Sequence, residues 1–147
     1  MKDVRRTFYQ SGEKRSEEEF ENGERQGVSR WYYENGSLEA ELTFAHDLRE
    51  GPHRSYYESG QLWQEAFFRS NKQVGVTRWY YENGVLASEI RFRDGLEDGI
   101  TKWFYEDGRL KLVESYKEGV LSGVRQGFAE DGTVLFEESY ENGKRVS

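Results

Sequence analysis

A period of 24 residues constrains this chain more than any other feature. The stretch from Gly75 to Asp98, GVTRWYYENGVLASEIRFRDGLED, matches the sequence in steps of 24 without a gap. Copies open at Gly27, Gly51, Gly75, Gly99 and Gly123, and a weaker one opens at Asp3. A period of this length marks a repeat array, because one such unit cannot bury an apolar face alone and must stack on its neighbours. The expected organisation is one repeat domain over residues 1–147, with copies at 3–26, 27–50, 51–74, 75–98, 99–122 and 123–146. Positions are counted from the first residue of each copy, so Gly75 is position 0.

Each copy carries two turn signals. Position 9 is glycine throughout, in contexts such as ENG at Gly36 and Gly84, ESG at Gly60 and EDG at Gly108. Extended runs flank it, which is a hairpin signal, and the turn needs a residue at positive φ. Ser11 and Ser59 before the glycine suit a type I turn closed by a glycine bulge better than a type I′ turn. The second turn lies at position 20, where Gly23, Asp47, Asn71, Gly95, Gly119 and Gly143 all tolerate the left-handed region. No apolar pattern at helical spacing survives between these turns. The expected fold is all-β, a single-layer antiparallel meander or ribbon of six β-hairpin repeats, each about 24 residues long.

Columns of residue type run through the copies. Position 5 is Phe8, Tyr32, Tyr56, Tyr80, Phe104 and Phe128, and position 17 is Phe20, Phe44, Phe68, Phe92, Tyr116 and Tyr140. Alternation along a strand places positions 11, 13, 15 and 17 on one side. A bulged three-residue loop adds positions 1 and 5 to that side. A two-residue loop would instead add the tryptophans at position 4 (Trp31, Trp79, Trp103) and the tyrosines at position 6. The bulged register is preferred, which makes the position-5 and position-17 ladders the core. Pro52 interrupts the position-1 valine column and predicts a local bulge or kink. Lys14, Ser16 and Glu18 make the first copy polar, as in a cap, and the last copy, without aromatics at Gly127 and Ala129, is read as a plainer cap.

Composition limits the function classes. The net charge of −7 argues against nucleic acid and anionic lipid as partners and permits a basic protein. There is no cysteine, hence no disulfide or thiolate metal site. The opening MKDVRRTFYQSGEKRSEEEF lacks a signal-peptide core and no apolar run spans a membrane, so a cytoplasmic location is expected.

The signature G-x-x-x-W-Y-Y-E-N-G-x-L-x-x-E-x-x-F-x-x-G, as at Gly75 to Gly95, resembles the MORN-repeat variant of bacterial YwqK-like antitoxin proteins. The resemblance covers all six copies, with departures at Pro52, Ser55, Val113, Gly127 and Ala129. It implies β-hairpins in an open, curved sheet and a scaffolding or binding role, with some members assigned as antitoxins or immunity proteins.

No catalytic constellation stands out. Glutamates recur at position 7 (Glu34, Glu58, Glu82, Glu106, Glu130) and position 14 (Glu41, Glu65, Glu89, Glu137). Each sits in a repeated environment, whereas an acid–base pair needs two different ones. Pairing with the basic column at position 3 (Arg6, Arg30, Arg54, Arg78, Lys102) accounts for them. His46 and His53, with Asp47 nearby, lack a recognised ligand spacing, so no metal is expected, nor any other cofactor. The glycines are turn residues with no Gly-Lys-Ser/Thr after them.

The expected function is therefore non-enzymatic: a module that binds a protein, with a basic, toxin-like partner favoured by charge and by the resemblance. A structural scaffold or self-associating ribbon is the alternative, because sheet edges can template strand addition. A membrane-surface module is disfavoured by the charge. Three aromatics fall outside the main columns: Trp63, Phe67 and Phe136. Phe136 has core parity. Trp63 and Phe67, at positions 12 and 16, are placed on the opposite, polar face on either side of Glu65. They form the candidate protein-binding patch, unless the irregular third copy buries them.

Overall fold

The computed structural model covers residues 1–147. It contains strands and turns only, and no helix is long and apolar enough to cross a membrane. The chain divides into two compact units, Met1–Lys72 and Gln73–Ser147. Unit 1 holds β1 (Lys2–Phe8), β2 (Lys14–Glu21), β3 (Glu24–Tyr32), β4 (Leu38–Ala45), β5 (Leu48–Tyr56) and β6 (Leu62–Arg69). Each strand pairs antiparallel with the next.

Unit 2 continues the scheme with β7 (Lys72–Tyr80), which begins at the boundary residue, β8 (Leu86–Arg93), β9 (Leu96–Glu97) and β10 (Gly99–Phe104). It ends with β11 (Leu110–Lys117), β12 (Val120–Leu121), β13 (Gly123–Phe128), β14 (Val134–Glu141) and β15 (Lys144–Arg145). Here Asp98 and Ser122 interrupt the ladder, so strands that are continuous in unit 1 are split into β9/β10 and β12/β13.

The two turn types differ as the sequence suggests. At the first, the Gly36 N–H donates to the Tyr33 carbonyl (2.9 Å) and the Tyr33 N–H to the Ser37 carbonyl (2.9 Å), the three-residue loop closed by a glycine bulge. Gly36 takes φ +87° there, and Gly84 takes φ +85° in the equivalent loop two copies later. The second turn has two successive left-handed residues, for example His46 (φ 50°) and Asp47 (φ 64°), which defines type I′.

Register is where the structure departs from expectation. The tip loop is the bulged one, but a second irregularity follows it at position 12. In the β3–β4 hairpin Tyr32 opposes Leu38 while Trp31 opposes Ala40, so Glu39 is the extra residue. That slip moves every side chain beyond it to the other side. Positions 0, 2 and 4 therefore share a face with 13, 15 and 17. The position-5 aromatics fall on the outer face with position 1, where Val4, Ile100 and Val124 are exposed.

The enclosed side, called the packing face, is built of small residues under large ones. Trp31 stands opposite Ala40, Trp79 opposite Ser88 and Gly127 opposite Phe136. At Gly127 a side chain would collide with the Phe136 ring, so the aromatic has moved across the strand pair instead of being lost. Only three apolar residues are buried, Phe44, Ala66 and Ile90, beside Ser16, Ser29, Ser55, Thr77, Ser88 and Thr101. A single layer has no second layer to bury large side chains against, so close packing falls to the small positions.

A third irregularity explains the position-0 glycines. Glu18 opposes Ser29 and Phe20 opposes Arg25, so β3 bulges at Gln26 to Val28. Gly27 there has φ 110°. The Val28 N–H reaches the Glu19 carboxylate (3.4 Å) instead of a neighbouring carbonyl. Pro52 occupies the corresponding place in β5, where a missing N–H forfeits no ladder bond. The bulge predicted at Pro52 is present, but the second copy has it too, at Gly27, and the proline merely fits it.

Candidate protein-binding surfaces

The outer face of the first four hairpins carries a charge ladder. Registry sets position 3 against position 14, and the guanidiniums meet the carboxylates: Arg6–Glu17 at 2.6 Å, Arg30–Glu41 at 2.8 Å, Arg54–Glu65 at 2.7 Å and Arg78–Glu89 at 3.0 Å. Arg6 holds the Glu17 carboxyl below its ordinary value, and Glu41 and Glu65 raise Arg30 and Arg54. Recurring glutamates at position 14 are thus cross-strand partners.

The patch expected around Glu65 is divided between two faces. Glu65 is bound to Arg54, and half-buried Phe67 lies opposite Pro52 on the outer face. Trp63 occupies the extra position of its strand, so it turns to the packing face and tilts against the Tyr57 ring at 6.2 Å between centroids. It remains 41% exposed. The bulge at position 12, which no residue type announces, separates Trp63 from Phe67.

Position 6, which the preferred register left unused, has a role. Tyr9 donates its hydroxyl to the Tyr32 carbonyl (2.6 Å) and Tyr33 to Tyr56 (2.6 Å). In unit 2, Tyr81 donates to Phe104 (2.7 Å) and Tyr105 to Phe128 (2.7 Å). Each bond ties one hairpin tip to the next copy. The recurrence of tyrosine instead of phenylalanine at position 6 was the available signal.

On the packing face of unit 1 lies an open groove of about 670 Å³. Trp31, Leu42 and Phe44 line it, with Arg15, Arg25 and Arg49 also contributing. The guanidiniums lie over aromatic rings: Arg15 over Tyr9 at 5.8 Å, Arg25 over Phe44 at 5.0 Å and Arg49 over Phe68 at 5.1 Å. Beside Arg49, His53 is tucked against Phe68 (5.9 Å), and its Nδ1 has no hydrogen-bond partner. Burial first, and the Arg49 charge second, hold its pKa down.

The packing face of unit 2 carries an ionic network instead. Arg125 bridges Glu114 (2.9 Å) and Glu138 (3.4 Å), and Arg145 adds a second contact to Glu138 (3.0 Å). Tyr116 donates to Glu114 (3.2 Å) and Tyr140 to Glu138 (2.9 Å). Burial, then the Glu114 charge, pushes the Tyr116 phenol up to about 12. The same two causes raise the Glu97 carboxyl.

The hairpin tips of unit 2 form an acidic rim. Glu82, Glu106, Asp107, Glu130 and Asp131 are all exposed. Arg109, which bonds the Glu130 carbonyl (2.6 Å) and approaches Asp107 (3.6 Å), is the cation among them. A notch of about 310 Å³ opens there between Tyr81 and Tyr105, against Glu106, Asp107 and Glu130.

The two histidines are not brought together as ligands. His46 sits at a turn with Glu24 (2.9 Å), whereas His53 lies within β5, and no group of three or more His, Cys, Asp or Glu forms a metal cluster. The sequence matches the family described as MORN repeat variant over residues 25–46, 49–70, 73–94 and 97–118. No curated protein matches the chain significantly.

Proposed function

Because the chain belongs to the MORN repeat variant family, we propose that it is a non-enzymatic repeat module whose work is to bind another protein, and that this partner is basic. The observation that carries the proposal is the rim of five exposed carboxylates at the tips of unit 2, with Arg109 as the cation among them. The Tyr81–Tyr105 notch gives a lysine or arginine side chain an aromatic wall beside carboxylates. The finer reading, an antitoxin or immunity protein that neutralises a basic toxin in a bacterial cytoplasm, follows from the resemblance to YwqK-like proteins. Trp63, exposed on the packing face, is a further contact residue of the proposal; Phe67 and Glu65 face the other way.

The scaffold reading has its own support in β1. All seven of its residues are exposed and it pairs with β2 alone, so its outer backbone groups are open to strand addition. One experiment separates the two. Immobilised protein is exposed to extract of its native host, and bound proteins are identified. A basic protein released by salt, and lost when Glu106→Gln and Glu130→Gln are combined, is expected. Capture of neutral or acidic proteins alone, or capture unaffected by the double variant, contradicts the basic-partner proposal. Concentration-dependent self-association without capture favours the scaffold.

A further inference from the structure

Within unit 1 the arginines of the groove differ in one respect that the repeat itself explains. Arg25 has two carboxylates near its guanidinium, Glu18 and Asp47, each at 3.9 Å. Arg49 occupies the equivalent place one copy later. There the chain substitutes Leu42 for Glu18 and Asn71 for Asp47. Asn71 keeps the turn bond, accepting the Arg49 backbone N–H at 2.8 Å, as Asp47 accepts that of Arg25 at 2.9 Å. Both substitutions keep the structure and remove a negative charge. Arg49 and Arg15 are left exposed, each over an aromatic ring and neither in an ion pair. They line a groove whose other walls are Trp31, Leu42 and Phe44.

We infer that this groove is a docking site for an acidic segment of a protein, with carboxylates at Arg15 and Arg49 and an apolar side chain between them on Trp31 and Leu42. Guanidiniums stacked on rings are held in plane and present paired N–H donors, the geometry that carboxylates accept in bidentate fashion. Glu39 and Asp47 also line the groove, so its charge is set by three arginines against two acids. That balance suits a short segment with a few carboxylates. It does not suit a nucleic acid, whose run of phosphates would extend past these three arginines onto a chain of net charge −7. At about 670 Å³ the groove has the size of ordinary ligand sites. It shares no residue with the acidic tips of unit 2, so either surface can fail without the other.

The test uses the full chain and two fluorescein-labelled probes, Glu-Leu-Glu-Leu-Glu and its counterpart Lys-Leu-Lys-Leu-Lys, read by anisotropy. Saturable binding of the acidic probe is expected, weakening as salt rises. Arg49→Gln and Arg15→Gln should each reduce affinity about tenfold, as loss of a charge-assisted hydrogen bond does. Arg49→Lys should restore part of it. Both arginines are exposed, so melting temperatures should stay unchanged and separate lost binding from lost fold. Glu106→Gln with Glu130→Gln should leave the acidic probe unaffected. The inference is overturned by absent saturation up to about 1 mM, by equal binding of the lysine probe, or by affinity unchanged in the Arg15→Gln/Arg49→Gln protein. It is also overturned if a single-stranded oligonucleotide binds more tightly than the acidic probe, which would make the groove a general polyanion site.

Discussion

The packing faces of units 1 and 2 use equivalent positions for opposite purposes. In unit 1, position 22 supplies Arg25 and Arg49, which lie over Phe44 and Phe68, and position 15 supplies Leu42 and Ala66 beneath them. In unit 2, position 22 is Gln73, Glu97, Leu121 and, in the last copy, Arg145, which pairs with Glu138 (3.0 Å), while position 15 becomes Glu114 and Glu138 after Ile90. Arg125, at position 2, then neutralises the two glutamates. One backbone scheme thus leaves Arg49 resting on a ring without an ion pair in unit 1, while in unit 2 Arg125 lies over Phe136 (5.0 Å) and is also bound into an ion network. The difference teaches where function can reside. A guanidinium committed to two carboxylates has little left for a partner, whereas one with only a ring beneath it keeps its charge and donors available.

The largest effect should come from the stacked side. Phe44→Ala should lower stability by about 3 kcal/mol, as truncation of a buried aromatic does, and by the same amount at low and high salt in urea unfolding. A loss below ~1 kcal/mol would break the comparison at its apolar end. Next comes Arg125→Ala, which strands Glu114 and leaves Glu138 to Arg145 alone. About 2 kcal/mol is expected, less than for a fully buried pair because solvent reaches part of the network. That loss should shrink with salt. Arg49→Ala, by contrast, should stay within about 0.5 kcal/mol of the parent, and equal losses at the two arginines would erase the distinction.

A smaller and deliberately symmetric effect sharpens the contrast. Tyr33→Phe in unit 1 and Tyr105→Phe in unit 2 each remove one tip hydrogen bond, so each should cost about 1 kcal/mol. Unequal losses would mean that the tip ladder is not common to both units. The smallest effects concern pH and have opposite signs. His53 in unit 1 is depressed, so its contribution is present above the ordinary histidine value and is lost as pH falls through the folded value. Glu97 in unit 2 is raised, so its contribution is full below the ordinary carboxylate value and is lost as pH rises through the folded one. Removing His53 (His53→Gln) should therefore flatten the acid limb of stability, and Glu97→Gln should stabilise the protein at neutral pH. The same sign for both would contradict their placement.

Much of this architecture is legible in the sequence, for physical reasons. The period, the strand–turn alternation and the tip turn can be read because positive φ restricts residue choice, as Gly84 and Asn71 show. The pairing of position 3 with position 14 was equally visible in complementary charge. Register was not legible. The bulge at position 12 is filled by Arg15, Glu39, Trp63, Ala87, Lys111 and Leu135, which share no property, so it leaves no mark. That one residue moved the position-5 aromatics to the outer face and divided Trp63 from Phe67. The glycine column at position 0 was visible, but a glycine between two extended runs could not be told from a repeat boundary. The groove of unit 1 escaped notice because its signal is the loss of Glu18 and Asp47 equivalents beside Arg49, which has meaning only once the neighbours in space are known.

The contrast between a free and a committed guanidinium can be observed directly by nuclear magnetic resonance of the arginine side-chain Nε–H groups. The Nε–H of Arg125, 2.9 Å from Glu114, and those of Arg30 and Arg54, bonded to Glu41 and Glu65, should be protected from exchange with water. That of Arg49 should exchange rapidly and should be the one that shifts when the Glu-Leu-Glu-Leu-Glu probe is added. A protected Arg49 that ignores the probe, beside an unprotected Arg125, would contradict the division of roles between the two units.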